Sequence, residues 1–239
     1  MDKSKLKKYI GTKVVEAIPM SEIKAESNGY VRKNSDNHEW RNGYHIRYTN
    51  PDGSFYDSWS PKDVFEKAYQ VAETPLDRMN IEYKEESERY EKGKKFVDSM
   101  VFDNLNYLAK TLLSAQNESQ REYCHLLADR IAQISNKQVF PTNYDFGTAI
   151  KFLKAGGTIR RAGWSDKGLF VIKQIPAHIV DDGIQDIKSL PQSAKNILMN
   201  RENPHIDYTN QMLIVNSDGR ADSWVPSSSD IFAEDWEVI

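Results

Sequence analysis

The residues best suited to chemistry fall in one short stretch: Arg160-Arg161-Ala162-Gly163-Trp164, followed by Lys167-Gly168 and Phe170. A flat ring beside a fixed cation is what a ligand built from a base and a phosphate requires, because the ring stacks and the guanidinium gives charge-assisted hydrogen bonds. A second stretch, Trp224 with Ser227-Ser228-Ser229-Asp230, adds another indole, hydroxyls and a carboxylate. The same residues have a plainer reading. Tryptophan is mostly buried wherever it occurs, so Trp164 and Trp224 would fill small cores, as would Trp40, Trp59 and Trp236. The serines would then cap a short helix. Taken in isolation, these residues favour packing.

Reaction chemistry is not legible. The histidines His38, His45, His125, His178 and His205 are scattered without partners at ligand spacing, so no metal site is expected. No glycine-framed elbow precedes Ser227, which argues against a serine nucleophile. Ala155-Gly156-Gly157-Thr158 ends a predicted helix, whereas a phosphate cradle would open one. The single cysteine, Cys124, sits among Tyr123, Leu126 and Leu127 and reads as a small core residue. The expectation is a chain that is not an enzyme, with no catalytic residue, no metal and no cofactor.

Composition narrows the partners. With 32 basic and 35 acidic residues and a net charge of -3, the 239-residue chain has no global field to attract a DNA or RNA polymer or a membrane surface. Lys3, Lys5, Lys7 and Lys8 precede no apolar run, so neither a signal peptide nor a membrane span is expected, and the protein reads as cytoplasmic.

The elements that position these residues are organised around a repeated phrase. Asp52-Gly53 with Asp57-Ser58-Trp59-Ser60-Pro61 and Phe65 is echoed by Asp218-Gly219 with Asp222-Ser223-Trp224-Val225-Pro226 and Phe232. Each copy predicts a hairpin turn, a strand ending in tryptophan, and a proline before a turn or helix. Ser60, Pro61 and Asp63 read as the start of a helix with Val64, Phe65 and Ala68 on one face. Between the copies, Leu105, Leu108, Leu112, Ala115, Tyr123, Leu126 or Leu127, Ile131 and Ile134 recur at helical spacing, and Asp103 or Asn104 would cap that helix. The predicted fold class is α+β: two small strand-and-helix modules with antiparallel sheets, joined by a helical hairpin or a coiled coil with a second copy. The boundaries fall at residues 1–74, 75–140 and 141–239. In the last module Asp145 would cap a helix over Phe146 to Lys154 ended by Gly156-Gly157, and Pro191 to Asn200 would form a helix within a long insertion.

The last module, residues 144–239, resembles the phage Thoeris anti-defence sponge family. The resemblance rests on Phe146-Gly147-Thr148-Ala149-Ile150 with Leu153-Lys154, on Arg160-Arg161-Ala162-Gly163-Trp164 with Lys167-Gly168 and Phe170, and on Ser223-Trp224 with Ser228-Ser229-Asp230 and Ala233-Glu234-Asp235-Trp236. It implies an α+β homo-oligomer that traps a cyclic ADP-ribose isomer made by bacterial TIR-domain proteins and holds it uncleaved between subunits. Some relatives also take up cyclic oligonucleotides at a separate site. By that resemblance Trp164 and Phe170 would stack on adenine, and Trp224, Ser228, Ser229 and Asp230 would meet ribose and phosphate. Arg160 or Arg161 would neutralise phosphate, an assignment made from charge alone. The middle helices resemble small helical accessory proteins of phages. The first module resembles short phage proteins ending in Ser58-Trp59-Ser60-Pro61-Lys62-Asp63-Val64-Phe65.

The expected function is therefore phage anti-defence by sequestration of a nucleotide signal in the cytoplasm of an infected host cell. The alternative is a phage protein-interaction or structural oligomer with no nucleotide ligand. A hydrolase acting on such nucleotides ranks last, because no general base is evident.

Overall fold

A computed structural model describes residues 13–32, 40–138 and 141–239. Lys3 to Lys8 and His38 lie outside them. Helices and antiparallel sheets alternate in an α+β arrangement with a long helical middle region. The chain divides into two compact units, Met1–Ile81 and Glu82–Ile239.

In the N-terminal unit, β1 (Glu16–Ser21) leads into α1 (Glu22–Ser27), and β2 (Asn42–Thr49) turns back as β3 (Phe55–Pro61) before α2 (Lys62–Ala68). The sheet order is β1-β2-β3, antiparallel throughout. The turn between β2 and β3 closes because Gly53 adopts φ +82 and Asp52 accepts from the Ser54 amide at 2.9 Å. Met20, Ala25 and Trp59 form the core with Tyr30 and Val31 against it, and the Trp59 indole donates to the Met20 carbonyl at 2.8 Å.

Three expectations fail here. The strand runs through Pro61, paired with Gly43, so the helix begins at Lys62 with no side-chain cap, and Ser60 bonds the Pro61 carbonyl instead. On α2 only Phe65 is half-buried, stacked on Tyr44 at 4.3 Å, while Val64 and Ala68 are exposed. Trp40 is also 51% exposed, because it precedes the first paired residue of β2.

Helix α3 (Pro75–Val97) leads to a short α4 (Met100–Asp103) and then α5 (Tyr107–Ile134). The cap of α5 is Asn106, whose side chain accepts from the Ala109 amide at 2.9 Å, and not Asp103 or Asn104. The stretch Met100 to Phe102 forms α4, capped by Ser99. Within the chain α3 and α5 meet where Tyr123 donates to Glu82 and where Gly93 faces the Asn117 side chain. The periodic apolar face of α5 is buried only in part: Leu108 and Leu112 are 64% and 61% exposed, whereas Asn117, Glu122, Cys124 and Leu127 are buried.

The remainder of the C-terminal unit holds α6 (Phe146–Lys154), β4 (Ile159–Arg161), a 3-10 turn (Ala162–Lys167) and β5 (Phe170–Lys173). An insertion follows as β6 (Ala177–Val180), α7 (Asp182–Asp186), α8 (Gln192–Met199) and β7 (His205–Tyr208). The chain then returns through β8 (Met212–Val215), β9 (Ala221–Ser223), α9 (Ser228–Ile231) and β10 (Trp236–Val238). The main sheet has the antiparallel order β10-β4-β5-β8-β9, and β6-β7 form a separate two-stranded sheet. Asp145 caps α6 as its sequence predicts, accepting from the Thr148 amide at 2.6 Å, and Gly156 ends it at φ +93. Gly219, at φ +85, makes the turn equivalent to that of Gly53. Tyr144, Ala149, Leu153, Ile159, Val171, Ala233 and Trp236 form the core.

Candidate functional site

The 3-10 turn after β4 carries Trp164 back over the core, half-buried and packed against it. Three indoles converge there. Trp164 lies edge-on to Trp224 at 6.1 Å and to Trp236 at 5.6 Å between ring centroids, and Trp224 lies 6.1 Å from Trp236. Edge-to-face contact at these separations is the favoured arrangement for aromatic quadrupoles. Trp236 is fully buried and donates its indole N–H to the Asp230 carbonyl at 3.1 Å. Trp164 and Trp224 each keep part of their surface at the solvent boundary. They are thus both core and surface.

Arg161 sits beside this cluster, 5.6 Å above the Trp236 ring. It donates to Asp235, to the Ser229 carbonyl at 3.2 Å and to the Asp230 carboxylate at 3.2 Å. The Asp235 hydrogen bond raises the Arg161 pKa further above its ordinary value. Burial alone would raise the Asp230 carboxyl, but hydrogen bonds from the Ser227 hydroxyl and amide and from Arg161 outweigh it and hold the group below its usual range. Ser227 and Asp230 form a reciprocal capping box at the start of α9, as the helix-cap reading of these serines requires. Ser228 and Ser229 are exposed.

The sheet register separates the remaining candidates. Directly paired residues share a face and neighbours along a strand alternate. Ile159, Val171 and Ile214 form one paired row on the core face, so Phe170, paired with Val215, projects from the opposite face. Arg160 is out of phase with Ile159 and lies on that opposite face too, bonded to Glu237 at 2.8 Å. Trp164, Trp224, Arg161 and Asp230 are therefore brought together, with Ser228 and Ser229 adjoining them, whereas Phe170 and Arg160 are not part of that group. Linear proximity across a six-residue turn hid this alternation.

The histidines are less isolated than their spacing suggests. His45 meets Asp57 at 2.9 Å, and Asp57 is held below its usual range by Arg47 first and by His45 as well. His125 stacks on Tyr144 at 4.3 Å. His178 and His205 face each other across β6 and β7 beside Asp207, which His178 contacts at 2.5 Å. Among the described residues no group of three or more histidine, cysteine or carboxylate side chains is arranged to hold a metal ion. Among them also, no helix is long and apolar enough to cross a membrane.

Comparison with known proteins finds similarity over two spans of the chain. Residues 144–239 match the family model Tad2-like, described as the Thoeris anti-defense 2-like domain, and residues 73–133 match the family model Sequestin. The resemblance carried by the Arg160 to Phe170 and Ser223 to Trp236 motifs is borne out over that C-terminal span. A relative is the Bacillus phage SP01 protein Thoeris anti-defense 2, 28% identical over 99 residues, a span of 41% of this chain and 97% of the phage protein. The Sequestin match falls on the middle helices, a similarity that residue periodicity alone did not reveal.

Proposed function

We propose that this chain is a phage anti-defence protein that binds a signalling molecule and holds it without cleaving it. The observation that carries this reading is the match of residues 144–239 to the Thoeris anti-defense 2-like domain, a span that contains the clustered indoles. The Sequestin match over residues 73–133 points the same way. The ligand is a cyclic ADP-ribose isomer made by TIR-domain proteins, and the site of action is the cytoplasm of the infected bacterial host. Trp164 and Trp224 offer indole surface to the adenine, and Ser228 and Ser229 offer exposed hydroxyls to ribose and phosphate. Arg161 brings positive charge already fixed by Asp230 and Asp235. Phe170 and Arg160, on the other sheet face, would reach a ligand held by a neighbouring protomer in a homo-oligomer.

Binding without turnover suits these electrostatics. The carboxylates beside the indoles are tied to Arg161 and Ser227, so neither is poised to accept a proton from water. The test is depletion: the full chain is mixed with the cyclic ADP-ribose isomer, passed through a protein-retaining filter, then heated. The proposal expects loss of ligand from the filtrate and recovery of unaltered mass on heating. Ligand that stays in the filtrate, or returns hydrolysed, overturns it.

One observation favours a second reading. Met100 and Tyr107 are each 84% exposed and continue into the exposed Leu108 and Leu112, an apolar surface suited to protein contact. An interaction protein would be indifferent to nucleotides in the same filtration test.

A further inference from the structure

Within the C-terminal unit, helix α5 grips the arm of chain that carries Trp236. Arg121 donates to Glu234 at 3.4 Å, His125 stacks on Tyr144 at 4.3 Å, and Asp129 accepts the Tyr144 hydroxyl at 2.5 Å. Their spacing of four places all three on one helix face. Tyr144 in turn pairs with Trp236 as an antiparallel bridge, each amide donating to the other's carbonyl at 3.1 Å. Asp235, between Glu234 and Trp236, is the carboxylate that accepts from the Arg161 Nε. Both neighbours of Asp235 are therefore tied to α5, Glu234 directly and Trp236 through Tyr144.

The two ties differ in strength. The Glu234 side chain is 68% exposed, so its ion pair alone contributes little. Tyr144 is fully buried, and burial first and Asp129 second push its hydroxyl above the ordinary value, so it stays a donor. Arg121 is itself held, because its Nη2 donates to the buried Glu122 at 3.1 Å. The helix side of the clamp is thus fixed by a buried ion pair, and the sheet side by a backbone bridge beneath a core ring.

We propose that α5 positions the indole site, with Asp129 and Arg121 acting through Tyr144 and Glu234 to fix Trp236 and the Arg161–Asp235 pair beneath Trp164 and Trp224. Arg121, His125 and Asp129 fall in the span 73–133, and Glu234 and Tyr144 in the span 144–239. The helical region is thereby joined mechanically to a site in which it has no residue. Groups that touch a ligand keep their geometry only when their neighbours are held in turn, so loosening α5 changes how the indoles stand as well as how stable the unit is.

The test uses the full chain and the double variant Asp129→Leu, Glu234→Ala, which cuts both ties and leaves every indole and Arg161 in place. Near-ultraviolet circular dichroism reads the mutual orientation of the indoles without ligand, because edge-to-face rings 5.6 to 6.1 Å apart couple their transitions. The double variant should lose part of that tryptophan signal and bind the cyclic ADP-ribose isomer about fivefold more weakly, the scale of an ordinary coupling between regions. Asp129→Asn keeps an acceptor oxygen for Tyr144 and should leave both readings at native values. Tyr144→Phe keeps the buried ring and cuts the tie from the other side; it should lower the signal too, and it decides the matter where the double variant does not unfold cooperatively. The affinity effect rests on the function proposed above, whereas the dichroism does not. A lowered signal in chains that bind no ligand supports the positioning role and overturns that function alone. An unchanged signal in a cooperatively folded variant, native affinity beside a lowered signal, or an Asp129→Asn signal as low as that of the double variant overturns the positioning role.

Discussion

The repeated tryptophan-proline phrase ends in two different environments. In the N-terminal unit β3 stays paired through Pro61, and Trp59 is 8% exposed with its indole N–H satisfied by Met20. In the C-terminal unit β9 ends at Ser223, and Trp224 stands half-buried against Trp164 and Trp236. One copy closes a small core by itself. The other shares its core with a fully buried third indole and can therefore keep part of its ring at the surface. Turn chemistry is common to both copies, but the neighbouring residues decide whether the tryptophan is buried in packing or left partly exposed.

Substitutions can break this contrast. The largest effect is expected at Trp236, the indole that frees the other two. Trp236→Ala should cost about 3–5 kcal/mol of stability, read by chemical denaturation, because it empties a fully buried site. Trp59→Phe should come next, at about 1–3 kcal/mol, since it leaves the buried Met20 carbonyl without its donor. The matched change Trp224→Phe should cost less than about 1.5 kcal/mol, as a hydrophobic replacement at a half-buried position whose indole N–H has no hydrogen-bond partner among the described residues. Equal losses at Trp59 and Trp224 would erase the distinction between the two copies.

A smaller effect concerns acid. Asp230 has a depressed folded-state pKa, so its contribution to stability is fully present above the unfolded carboxylate value of about 4 and is lost as pH falls through the folded value. Asp57 in the N-terminal unit carries the same sign through Arg47 and His45. Asp230→Ala should cost about 1–2 kcal/mol at neutral pH through the lost cap and should flatten acid destabilisation of the C-terminal unit below about pH 4. Denaturation profiles at neutral and acid pH check both parts.

Much of the fold was legible because local chemistry and tertiary structure agree. Asp145, Gly156, Gly219 and the Ser227 to Asp230 cap act at the positions their types predict. Prediction failed where long-range pairing overrode a local signal. Ser60 and Pro61 carry a helix-start signature, yet sheet pairing with β2 keeps them in a strand. The apolar period of α5 gave no sign that Leu108 and Leu112 are exposed while Asn117 and Glu122 are buried. At the candidate site, residue type and spacing single out the indoles and the Arg160-Arg161 pair, and the fold brings only Arg161 beside the indoles. The separation of Phe170 depends on sheet alternation, which needs the register of β5 against β8. The usual burial of tryptophan marks Trp236 as core, but its part in supporting Trp164 and Trp224 is visible only in the fold.

The central claim is that the half-buried indoles of the C-terminal unit receive a signalling molecule. Calorimetric titration of the full chain with the cyclic ADP-ribose isomer, beside the Trp164→Ala variant, tests it most directly. The account predicts saturable binding that weakens by about 1–3 kcal/mol in the variant, the range for loss of one base-stacking ring, with the variant still cooperatively folded. No heat of binding at micromolar protein, or equal affinity in the two chains, would contradict it.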